Sequence, residues 1–116
     1  MSNEGRTFLQ VVRNIINDTS SRILKDVFVQ SGKDKLVELT DNEMELVRQL
    51  GLHQAHYEIL EKVLLTMGDD VVFRIFCILD GVTYTSPEIP DLALINRDTG
   101  TPIVDGYLHE EFEEVK

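Results

Sequence analysis

Cysteine occurs once in this chain, as Cys77. A lone thiol cannot close an intramolecular disulfide, so a stable fold here has to come from packing. Cys77 sits among Phe73, Ile75, Phe76, Ile78 and Leu79. There it reads as a small buried hydrophobe in a reducing compartment, because a reactive thiolate needs exposure and nearby cations. Positive charge is scarce too: 11 Lys and Arg stand against 21 Asp and Glu, for a net charge of −10. That balance argues against nucleic acid and anionic membranes as partners. The main apolar run, 71–79, carries Arg74 and is far shorter than the ~20 residues a membrane span needs. No basic-then-apolar leader and no lipidation motif is read at the start, so a cytoplasmic location is expected. Gly-rich phosphate loops, Gly-x-Ser-x-Gly elbows and Ser/His/Asp signatures are missing as well, and no cofactor is expected.

The 42% hydrophobic content over 116 residues suffices for one core, and the expectation is a single domain over 1–116. The segment Gly68–Gly81 organises the rest. Its β-branched and aromatic residues suit a buried strand or a buried helix alike. The flanking Asp69 and Asp70, fit to cap backbone N–H groups, and Gly81, fit for a left-handed terminus, favour the helix. Apolar all round, such a helix is expected to be wrapped by other elements.

Phe8, Val11, Val12, Ile15 and Ile16 recur at spacings of three and four, predicting an amphipathic helix from about Thr7. Asn17-Asp18-Thr19-Ser20 either breaks it or forms its exposed face. Ile23, Leu24, Val27 and Phe28 resume the period until Ser31-Gly32, and 33–39 reads as a polar connector. Thr40-Asp41-Asn42-Glu43 carries the capping-box pattern, and Gly51 closes the helix it opens. Leu52 to Met67 reads as a further helix with Gly68 as its stop. Beyond Gly81, 84–90 is expected to be extended loop, since Pro87 and Pro90 disfavour helix in the residues before them. Leu92–Ile95, the turn 96–100 and Pro102–Val104 then read as a β-hairpin, with Pro102 keeping its strand short or at an edge. Leu108, Phe112 and Val115 have helical spacing in the acidic tail. The expected fold is therefore mainly α with an α+β ending: a bundle of four to five helices, a C-terminal β-hairpin (about 92–104) and a short acidic terminal helix.

Charge is uneven along the chain. Residues 1–37 hold six Lys/Arg against four Asp/Glu, +2; residues 38–116 hold five against seventeen, −12. The leading functional expectation is a non-enzymatic, cytoplasmic protein whose acidic C-terminal half binds a basic protein. Immunity proteins and antitoxins, small acidic inhibitors of basic enzymes, offer an analogy of composition. The binding residues expected are Arg97, Asp98, Tyr107, His109, Glu110, Glu111, Glu113 and Glu114.

Two alternatives stand beside it. One is a metal-assisted hydrolase using His53 and His56, which share a helix face at i, i+3, together with carboxylates. The other is a structural homo-oligomer in which the +2 segment of one copy meets the acidic half of another. Asp98-Thr99-Gly100 matches the aspartic-protease tripeptide, but Asn96-Arg97 precede it and a turn accounts for it. The two helices around Gly51 invite a helix-turn-helix reading, yet they are acidic, with Arg48 and Lys62 as their cations.

Overall fold

The computed structural model of the protein describes residues 3–29, 36–82 and 91–116. Among them four α-helices form: α1 (Asn3–Leu24), α2 (Asp41–Gln49), α3 (Gln54–Leu79) and α4 (Leu108–Glu114); a π-helical turn, Lys25–Val29, extends α1. The expected stop at Ser31-Gly32, residues 33–35 of the connector 33–39 and the extended loop 84–90 lie outside the described residues. The chain divides into two compact units: Met1–Asn14 with Asp69–Lys116, and Ile15–Gly68.

In the unit Ile15–Gly68, the two alternatives for 17–20 resolve to a longer helix, and the stop expected at Gly68 does not occur. Ser20 turns its hydroxyl back to donate to the Ile16 carbonyl at 2.8 Å, which occupies a capping side chain inside an unbroken α1. Gly68 does not stop a helix, because α3 runs through it for 26 residues. Its role is spatial. A Cβ at Gly68 would lie 2.7 Å from Cγ2 of Ile16, so the missing side chain is what lets the two helices approach. Three α-helices therefore precede residue 82 among the described residues, where four or five were expected.

The expected cap of α2 is present in full. The Glu43 N–H donates to Thr40 Oγ1 at 3.2 Å and the Thr40 N–H donates to Glu43 Oε1 at 2.9 Å. Gly51 follows with φ 62°, a left-handed conformation that an L side chain resists. α2 packs against the π-helical turn, and the Phe28 and Tyr57 rings meet at 5.2 Å.

In the other unit, the core is built from Leu9, Phe76, Cys77, Ile103, Val104, Leu108, Phe112 and Val115. The rings of Phe76 and Phe112 meet edge-on, 5.3 Å apart at 80°. The stretch 71–79 is helical, and Gly81 ends it at φ 72° as expected. It is not wrapped on all sides, however. Val71 and Ile75 are about half exposed while Phe76 and Cys77 are buried, so one side of a mostly apolar segment meets neighbours. Asp69 and Asp70 lie inside α3 rather than capping it, each paired with an arginine.

The β-hairpin expected over 92–104 does not form: the described residues contain no strand and a single isolated antiparallel bridge between Ile95 and Pro102. The turn itself closes, with Asn96 N–H donating to the Thr101 carbonyl at 2.8 Å and Ile103 N–H to the Leu94 carbonyl at 3.1 Å. Two facts prevent a ladder from growing. Pro102 has no N–H to give. Ile103 and Val104, adjacent in sequence, are both buried, which breaks the in–out alternation that a strand requires. They press instead on Gly5, where a Cβ would collide with the Ile103 carbonyl oxygen and lie 2.9 Å from Val104 Cγ1. The acidic terminal helix is present as α4. Among the described residues no helix is long and apolar enough to cross a membrane.

Gly68→Ala adds about 1 kcal/mol of helix propensity but forces a stiff, buried Ile16 to move, which costs about 1–3 kcal/mol. The expected outcome in urea denaturation is net destabilisation of about 1 kcal/mol; a stabilised variant contradicts the close approach.

The Thr40 backbone bond, and after it the Thr40 hydroxyl, hold the Glu43 carboxyl below the ordinary glutamate range. A depressed folded-state pKa stabilises fully above the unfolded pKa, and the contribution disappears as pH falls through the folded value. The Thr40 amide resonance should therefore report this loss on acid titration, and the Glu43→Gln variant should not show it. Identical titrations in the two proteins would refute the assignment.

Candidate binding surface

α4 is too short to be stable alone, and its N-cap residue, Tyr107, makes no side-chain cap bond. The cap is supplied from 28 residues away. Asp80, just past the end of α3, accepts from the Leu108 N–H at 3.0 Å through Oδ1 and from the His109 N–H at 2.9 Å through Oδ2. The His109 ring adds a third bond, Nδ1–H to Asp80 Oδ2, at 2.6 Å. The side chains are 7% and 15% exposed, and the imidazole packs edge-on against Phe73 at 5.6 Å. One carboxylate thus satisfies two orphan N–H groups and fixes the imidazole.

The other end of α4 is held by Arg13. Its guanidinium lies 3.8 Å above the Phe112 ring, donates from Nη2 to the Phe112 carbonyl at 3.0 Å, and bonds from Nη1 to Asp69 Oδ1 at 2.5 Å. Phe112 and Leu9 are fully buried, and the Arg13 side chain is 8% exposed. Helices α1, α3 and α4 of this unit therefore meet at one guanidinium.

With α4 clamped from beneath, its outer side displays Glu110, Glu113 and Glu114, all exposed. Glu113 also pairs with Lys116 at 2.8 Å. Glu111 is half-buried, and its Oε2 is buried without a hydrogen-bond partner among the described residues. Tyr107 is about half exposed and lies 5.5 Å from the His109 ring. Arg97 and Asp98 are exposed on the turn, which Asn96 organises by accepting the Asp98 N–H at 2.8 Å and by donating to Glu4 Oε1 at 2.5 Å. Of the eight residues expected to bind, six thus stand on the surface, while His109 and Glu111 sit beneath it.

An Asp–His pair is the base half of a catalytic triad. Here the Asp80 oxygens are also occupied by backbone N–H groups, and the ring is largely covered; Cys77, the one thiol, is buried. The arrangement reads as a structural cap. His53 and His56 are likewise used at a helix start: their rings lie 4.1 Å apart and His56 Nδ1 accepts the His53 N–H at 3.0 Å. Among the described residues no three His, Cys, Asp or Glu side chains gather as a metal site.

Sequence reasoning missed the roles of Arg13, Asp69 and Asp80. Arg13 left a signal, as a cation one residue after the apolar pair Val11-Val12. Asp80 left none, because its partners are distant in sequence.

The Arg13–Asp69 pair should respond asymmetrically to truncation. Asp69→Ala strands a buried guanidinium and should cost about 3 kcal/mol. Arg13→Met keeps the apolar stem and leaves an aspartate that is 34% exposed and able to rehydrate, so about 1 kcal/mol is expected. Thermal or urea unfolding of the two variants measures this; equal losses contradict it. Comparison of the chain with protein-family models, curated proteins and solved structures found no match.

Proposed function

We propose that this chain is a non-enzymatic binding module whose acidic face docks a basic protein, as small acidic inhibitors do. The observation that carries the reading is the rigid presentation of Glu110, Glu113 and Glu114 on α4, clamped by Asp80 at one end and Arg13 at the other. The unit bearing them, Met1–Asn14 with Asp69–Lys116, holds five Lys/Arg against twelve Asp/Glu, a net −7, whereas Ile15–Gly68 holds six against nine, −3. Exposed carboxylates of this kind add little static affinity, since water and salt screen them. They speed encounter and select the sign of the partner. Tyr107, half exposed beside them, adds apolar contact area of the sort that anchors interfaces. In this reading the module works in the cytoplasm, where the single buried Cys77 stays reduced.

The immobilised chain should capture a basic partner from its native source at low salt and release it as salt rises. Replacing Glu110, Glu113 and Glu114 together by Gln should slow association by about tenfold while leaving thermal stability unchanged. A triple variant that captures the same protein at the same rate and salt dependence would sink the reading.

A further inference from the structure

Beside Asp80, within the unit Met1–Asn14 and Asp69–Lys116, lies a cavity of about 280 Å³. Leu79, Leu92, Leu94 and Pro102 contribute apolar walls, and Tyr107 an aromatic ring. Two carboxylates, Asp80 and Asp105, also line it, and among the described residues no Lys, Arg or His does. Asp80 is almost wholly buried and both its oxygens are engaged by Leu108 and His109, so it shapes the floor of the cavity and leaves Asp105 as the carboxylate open to a ligand. Asp105 is exposed and keeps its carboxylate available at the rim.

This lining matches one ligand class, a cation carried on an apolar stem. Methylene groups lie well against Leu and Pro walls, while the charged tip finds the Asp105 carboxylate at the rim beside Tyr107. An anion would meet the like charge of Asp105 at the rim. A neutral apolar ligand would fill the walls and shield Asp105 from water without compensation. The cavity falls just under the roughly 300–1,000 Å³ typical of small-molecule sites, a size suited to one long side chain.

We propose that this cavity receives a single arginine or lysine side chain of the docked protein. The inference rests on the reading of α4 as a face for a basic partner and names the anchor of that contact. Electrostatic steering by Glu110, Glu113 and Glu114 brings the partner in; the cavity then holds one basic side chain and sets the register.

The test uses 1-butylguanidinium chloride as the probe and the full chain, followed by amide NMR. Saturable shifts are expected at Leu79, Leu92, Tyr107 and Leu108, with 1-pentanol binding at least about fivefold more weakly. Asp105→Asn and Tyr107→Ala, both at exposed positions, should each weaken the probe by about twofold to fivefold. The Glu110/Glu113/Glu114→Gln variant should bind the probe as the parent does. Shifts that never saturate, equal binding of 1-pentanol, indifference to both cavity variants, or loss of probe binding in the triple variant would each overturn the assignment. No partner protein is needed for this readout, so the cavity can fail while salt-dependent capture by α4 survives, and the reverse.

Discussion

A buried guanidinium imposes a demanding condition: every element around it must supply an acceptor or a π-face, or the unit loses more than the pair contributes. Arg13 meets that condition at its two Nη atoms and its face, with Asp69 on α3 and with the carbonyl and ring of Phe112 on α4, while its Nε is buried without a hydrogen-bond partner among the described residues. Leu9 and Phe76 then complete the packing around Phe112. The ion pair's net stabilisation is modest, because desolvation offsets much of the attraction. Its consequence is specificity. Other placements of α4 would leave the charge without its partners, so a seven-residue helix acquires one seat.

The same economy governs the start of α4. Asp80 replaces the cap that Tyr107 does not provide, and in doing so immobilises His109 against Phe73. Polar groups that a search for chemistry would single out are thereby consumed by structure. What remains on the surface is a row of carboxylates on a fixed frame, next to a cavity with carboxylate and aromatic lining. Rigidity matters for such a surface, since a pre-ordered face loses less entropy on association than a floppy acidic tail would.

Much of the local structure was legible because it depends on neighbours in sequence. The capping box at Thr40–Glu43 and the positive-φ glycines at 51 and 81 follow from interactions spanning five residues or fewer. The exposed character of Glu110, Glu113 and Glu114 was legible as well, since a short helix with Leu108, Phe112 and Val115 on one side must turn its glutamates outward. Errors arose where a residue had a local and a distant use. Gly68 looks like a stop until Ile16 is placed against it. The two apolar runs flanking the turn in 92–104 look like a hairpin until Gly5 draws Ile103 and Val104 inward together.

By itself, then, the sequence determined the mainly helical class, the cap of α2, the glycine termini and the acidic charge of the C-terminal region. These depend on backbone hydrogen bonds and side-chain character within a few residues, which short-range spacing reports directly. Tertiary structure decided that α3 runs through Gly68, that no hairpin forms among the described residues, and that Arg13 and Asp80 are what hold α4. Each of those outcomes rests on a contact between residues more than 25 positions apart or on competition for a single buried group. Such contacts leave no period in the chain, because their energy depends on where the partner lies after folding and not on the residues beside it.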